Sequence, residues 1–106
     1  MNRQQQIDQF LMDAHELALA RLRANPERLA DVAAQLQRWR AAAGVNRSDP
    51  YWDEWDALLR DGVEAVAESV AMATDHAAAL RSVSPISVLI TQHERAAMLR
   101  NVRRLA

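Results

Sequence analysis

"SDPYWDEWDALLRDG", residues 48–62, decides the fold. It holds two of the three tryptophans, the single tyrosine and five carboxylates. On a helix beginning at Pro50, Trp52, Trp55 and Leu59 stand three and four residues apart and share a face. Tyr51 and Leu58 share a neighbouring one. Asp53, Glu54 and Asp56 fall in the early turns, where the positive end of the helix dipole favours carboxylates. The stretch therefore reads as a short amphipathic helix with large anchors for docking. Tryptophan and tyrosine also dominate binding hot spots. Trp52 and Trp55 accordingly carry a second reading, as residues of a partner-binding surface.

Such a helix needs others to dock on, and the upstream sequence supplies two. Ile7, Phe10, Leu11, Ala14, Leu17, Ala18 and Leu22 recur at the helical period, so a first helix is expected from about Arg3 to Ala24. "NPERL" restarts the chain, with Asn25 placed to cap and Pro26 suited to a first helical position. The second helix then carries Leu29, Val32, Ala33, Leu36 and Trp39 on one face and stops at Gly44. Asp49 before Pro50 repeats the cap-plus-proline device.

Downstream, Gly62 ends or kinks the helix, and Asp61 with Glu64 has capping-box spacing. Val63, Val66, Ala67, Val70, Ala77 and Leu80 follow as a stripe of small residues, with Thr74-Asp75 able to cap a break. "SVSPISVLI" (82–90) is the one non-helical apolar stretch, because the residue before Pro85 is biased away from helix. It is expected to be a connector whose Ile86, Leu89 and Ile90 plug the core; an edge that pairs with a partner is the other reading. Thr91 and Glu94 form a capping-box pattern that opens a last helix, running to about Arg104.

At 106 residues the chain is expected to be one domain, residues 1–106. It has no cysteine, which removes disulfides and thiolate metal sites. "MNRQQQIDQF" has no apolar core of a signal peptide, and no apolar run reaches membrane-spanning length, so a cytoplasmic protein is expected. All thirteen basic residues are arginine, which with the abundant alanine suggests a GC-rich bacterial genome. The net charge of −1 is unevenly spread. Residues 49–75 carry eight acids against Arg60, whereas residues 76–106 carry five arginines against Glu94. Arg95, Arg100, Arg103 and Arg104 lie on the last helix. They can face the acids of residues 53–68 within the fold or meet an acidic partner.

Catalytic chemistry finds little support. His15-Glu16 and His93-Glu94 each open like a zinc-protease helix, but Leu19 and Ala97 stand where the second histidine belongs. Asp75-His76 is a lone pair. All three histidines are expected at the surface. No glycine-rich phosphate loop or nucleophile elbow is present. No catalytic, cofactor-binding or metal-ligating residue is assigned.

The order "SDPYWDEWDALL" then "AAALRSVSPISVLITQHERAAMLR" resembles a family of small bacterial helical proteins and C-terminal tails found in antitoxin-type regulators of toxin–antitoxin loci. Asp49, Pro50, Trp55, Leu58, Leu59, Leu80, Arg81, Ser84, Pro85, Thr91, Glu94, Arg95 and Leu99 match its pattern, over roughly the second half of the chain. The family often has phenylalanine after Ser-Pro, where Ile86 stands here. No DNA-reading headpiece stands in residues 1–48. The resemblance therefore implies a protein-binding antitoxin.

The expectation is an all-α bundle of four to six short helices with one Ser-Pro connector. Its expected function is that of a non-enzymatic interaction module, antitoxin-like, that masks a toxin partner encoded by an adjacent gene. The partner-binding residues are Trp52, Trp55, Arg95, Arg100, Arg103 and Arg104. The alternative is a helical DNA-binding regulator using "RWR" (38–40) and "LRNVRR" (99–104), against which the near-zero net charge argues. A third reading is a homo-oligomer, a simple dimeric helical protein of structural role.

Overall fold

The structure, a computed structural model, describes residues 2–104. Among them it contains six α-helices and two 3-10 turns, with no strand. The helices are α1 (Arg3–Ala24), α2 (Leu29–Ala43), α3 (Asp49–Asp61), α4 (Val63–Ala71), α5 (Asp75–Ser82) and α6 (Gln92–Arg104). One 3-10 turn, Pro26–Arg28, leads into α2; the other, Pro85–Leu89, links α5 to α6.

The helix ends follow from local chemistry, with three departures from the sequence reading. Asn25 makes no side-chain cap, and Pro26 instead opens the 3-10 turn, so α2 begins three residues later at Leu29. Asp49 does not cap α3; its carboxylate accepts from the Asn46 amide at 3.1 Å and braces the preceding loop. The Asp61–Glu64 box does not form: Asp61 is the last residue of α3, Gly62 takes the N-cap position of α4, and Glu64 pairs with Arg23 on α1. Elsewhere the expected caps are in place. Thr74 Oγ1 accepts from the Ala77 amide at 3.1 Å and starts α5. The Thr91 hydroxyl accepts from the Glu94 amide at 3.1 Å while Glu94 accepts from the Thr91 amide at 2.9 Å, both halves of the capping box. Gly44 and Gly62 close α2 and α3 at φ of 65° and 112°, which L side chains rarely adopt.

Helix α1 is the spine, contacting α4, α5, α6 and the Ser-Pro turn. One buried cluster joins Ala18, Leu19 and Leu22 of α1 to Val32 and Leu36 of α2. It continues through Trp52, Trp55 and Leu59 of α3 and Val66, Ala67 and Val70 of α4. Leu80, Ile86 and Leu89 complete it, so the Ser-Pro stretch is a core plug wound as a 3-10 turn rather than an extended edge. Trp55 is fully buried. Removing an aromatic side chain of that size from water stabilises the fold by roughly 4–6 kcal/mol before the cost of ordering it.

Helices α5 and α3 are joined by a specific device. The last carbonyls of a helix have no partner within it. Trp55 Nε1 donates to the Leu80 carbonyl at 2.9 Å, and Trp52 Nε1 donates to the Val83 carbonyl at 3.0 Å. The two indoles thus fill the core and satisfy the frayed end of α5 at once. At the end of α4 the same task falls to Arg81. Its Nη1 donates to the carbonyls of Val70 at 2.6 Å and Met72 at 3.0 Å, although the side chain is buried.

Candidate functional site

Two features stand outside the core: the exposed face of α6 and a cleft beside it. The first four residues of α6 are fixed by Glu94. Its carboxylate pairs with both terminal nitrogens of Arg21, and Arg21 Nη1 also donates to the Leu89 carbonyl at 2.6 Å. The Arg21 guanidinium therefore ties α1, α6 and the Ser-Pro turn together. The hydrogen bonds from Arg21, and then those from the Thr91 amide, pull the Glu94 carboxyl down to about 2.

Glu94 is the only acid of α6, and Arg21 occupies it. Arg100, Arg103 and Arg104 are exposed and take no carboxylate partner among the described residues. The expectation that they face the acids of residues 53–68 is not met. Four of those six acids are engaged elsewhere, Asp61 and Glu68 being the exceptions: Arg40 bridges Asp53 at 2.6 Å and Asp56 at 2.9 Å, Arg23 holds Glu64 at 2.9 Å, and His76 meets Glu54 at 2.9 Å. The acidic middle of the chain turns toward α1, α2 and α5. Val102 seats α6 on α1, and Leu99 is half-buried beside it. Together with Arg3, Ile7, Phe10 and Arg103 they bound a shallow depression with an apolar floor and arginines at its edge.

Arg95 lies apart from this group. Its guanidinium sits 5.2 Å from the centre of the Phe10 ring, at the mouth of the cleft. The cleft, about 490 Å³, opens between α1, the Trp39–Trp52 pair and the Ser-Pro turn. His15 and Arg81 form part of its wall.

Sequence reasoning placed His15 at the surface, and the structure buries it at 4% exposure. The physical reason is its spacing. His15 lies four residues from both Leu11 and Leu19 and one from Ala14, so it falls inside the apolar stripe. Its Nδ1 lies 2.7 Å from the Leu11 carbonyl, which fixes the proton there and leaves Nε2 as an acceptor. Nε2 is buried and has no partner. Burial, with a smaller push from Arg81, pulls the His15 pKa down to about 4, although the bond to Leu11 acts the other way. His76 and His93 are exposed, as expected.

The six expected partner-binding residues thus divide. Trp52 and Trp55 are buried and bonded within the core, so the docking-anchor reading accounts for them. Arg100, Arg103 and Arg104 share the outer surface of α6, and Arg95 belongs to the cleft mouth. Among the described residues no group of three or more His, Asp or Glu is placed to hold a metal ion, and no helix is long and apolar enough to cross a membrane. No family model, curated protein or solved structure matches this chain.

Proposed function

We propose that the chain is a non-enzymatic protein-interaction module of the antitoxin-like kind, which masks an acidic surface of a partner protein with the exposed face of α6. One observation carries the reading. Arg100, Arg103 and Arg104 are held on a helix whose single acid is already engaged, while Asp53, Asp56 and Glu64 pair with Arg40 and Arg23. Charges left uncompensated on a rigid element are available to steer and orient an oppositely charged protein. The depression beside them favours a protein over a phosphate backbone. Ile7 is 43% exposed there and Leu99 only half-buried, so apolar contacts sit inside an arginine rim. The resemblance of the second half to antitoxin-type tails supports the same class of partner, the product of an adjacent gene.

The test is co-purification of the full chain with the tagged product of the neighbouring reading frame, for the native sequence and for Arg100→Glu, Arg103→Glu. Retention of the native chain and loss of a variant that melts normally supports the reading. Equal retention of both, at low and physiological salt, overturns the assignment to α6. Native protein that ignores the neighbouring product but is held on duplex DNA in a salt-sensitive manner transfers the arginines to a nucleic-acid role.

A further inference from the structure

We infer that the cleft between α1 and the Ser-Pro turn is a binding site for a small carboxylic acid with an apolar body. The volume, about 490 Å³, lies within the range of small-molecule sites. Phe10, Trp39, Trp52 and Ile86 make its walls apolar and largely aromatic. The only charged side chains lining it are Arg81 and Arg95, and no Asp or Glu does so. An apolar chamber whose charges are all positive selects an anion attached to a hydrophobic skeleton.

Both arginines have capacity for such an anion. A guanidinium carries five N–H donors. Arg81 commits Nη1 to the carbonyls of Val70 and Met72, and its other N–H groups have no acceptor among the described residues. Those two bonds also lock the side chain in place, so an incoming carboxylate meets a donor already ordered. Arg95 closes the opposite side, resting on Phe10 with no carboxylate partner among the described residues. Buried arginines in proteins are ordinarily paired with an acid, and Arg81 has only carbonyl dipoles.

A second, independent observation comes from His15. Its Nε2 is a buried acceptor that the protein leaves without a donor, in a side chain more than nine-tenths buried on the cleft wall. Interiors rarely leave such an atom orphaned, and each case calls for a partner or a role. The site shares Phe10 with the depression beside α6 but uses none of Arg100, Arg103 and Arg104.

The experiment is calorimetric titration of the full chain with 2-naphthoate, decanoate and indole-3-acetate, three carboxylates whose apolar bodies differ in shape. The neutral 2-naphthalenemethanol serves as the control for charge. The indole N–H resonances of 15N-labelled protein report the location. Saturable binding of at least one acid is expected, with the control about ten-fold weaker or worse, since one charge-assisted contact is worth at least that factor. The Trp39 and Trp52 indole signals should move further than that of Trp55, which meets His15 but does not line the cleft. Arg95→Gln, at an exposed position that leaves the core intact, should weaken the acid about five-fold or more and leave the control unchanged. Arg81→Gln should abolish binding if it folds. The inference is overturned if none of the three acids binds saturably, if the alcohol binds as well as the acid, or if Arg95→Gln binds the acid with native affinity.

Discussion

Trp55 Nε1 lies 2.9 Å from the carbonyl oxygen of Leu80, and both are buried. The sequence separates these residues by a glycine, a helix break and the Thr74 cap, yet one hydrogen bond ties the middle of α3 to the last turn of α5. Two effects are therefore superposed at Trp55. Trp55→Ala should cost about 3–5 kcal/mol, as for large-to-small changes in a core. Trp55→Phe keeps most of the bulk and removes only the donor, so it should cost about 1–3 kcal/mol for the carbonyl left buried. Urea melts of the two variants check this. A loss under about 1 kcal/mol for Trp55→Ala would place the indole at the surface and return it to the list of partner contacts.

The spacing of apolar residues made the helices legible because amphipathic packing writes directly into sequence. Trp52, Trp55 and Leu59 share a face on paper and in space, and α1 spans Arg3 to Ala24 as its stripe predicts. Caps were less legible. Asn25, Asp49 and Asp61 each have the right chemistry at the right spacing, but a side-chain oxygen has competing uses. Asp49 went to a loop amide, and Glu64 to Arg23. The cleft was the least legible part. His15 with Leu11 and Leu19, and Arg81 with Ala77, both sit at helical spacing within buried faces. Polarity argued for the surface and spacing for the interior. Spacing prevailed because Leu11, Val70 and Met72 supply carbonyls that accept the buried N–H groups.

Thr91→Ala should destabilise α6 by about 1 kcal/mol, the usual worth of a cap. The effect should be local. Amide exchange of residues 92–100 should quicken, because the hydroxyl lost is the acceptor for the Glu94 amide. Glu94→Gln goes further. It removes the charge that holds Arg21, so exchange should also quicken near Leu89, whose carbonyl shares the Arg21 donor. If amides 92–100 exchange at native rates in Thr91→Ala, the cap does not anchor the helix.

Acid should weaken the fold in two stages. His15 is neutral in the folded protein, with its pKa lowered from 6.5 to about 4 by burial. The unfolded chain therefore takes up a proton before the folded one does. The His15 contribution is whole above about pH 6.5 and is lost as the pH falls toward 4, a total of about 3 kcal/mol from 1.4 kcal/mol per unit. Glu94 follows. Its pKa is lowered from 4.5 to about 2 by Arg21, so its stabilisation is lost as the pH drops through that lower window. His15→Leu fits the apolar stripe and should be at least as stable at neutral pH, with a flat profile from 6.5 to 4.5. Chemical denaturation of the native chain and the variant across this range tests the assignment. Parallel profiles would exclude His15 as the source of the first stage.

The arginines of α6 lead to a prediction about rates. Arg100, Arg103 and Arg104 are exposed and unpaired among the described residues, so reversing two of them breaks no bond within the fold. Arg100→Glu, Arg103→Glu should shift the melting temperature by only a few degrees, since surface substitutions away from specific contacts stay within about 0.5 kcal/mol each. Association with an acidic partner should respond very differently. Charges at the edge of an interface act on the encounter step, where complementary fields raise rates well above the neutral value and salt removes the gain. The native chain should therefore bind the adjacent gene's product with an association rate that falls steeply as salt is raised. The variant should bind slowly at low salt and show a flat or inverted dependence, with both chains converging near molar salt, where the screening length is only about 3 Å. Val102 offers the contrast. It is buried against α1 at 2% exposure, so Val102→Ala should lower the melting temperature while leaving the salt dependence of association intact. Association rates measured by surface plasmon resonance at several ionic strengths separate these cases. Native and charge-reversed chains with the same salt slope would mean that the arginines of α6 do not face the partner.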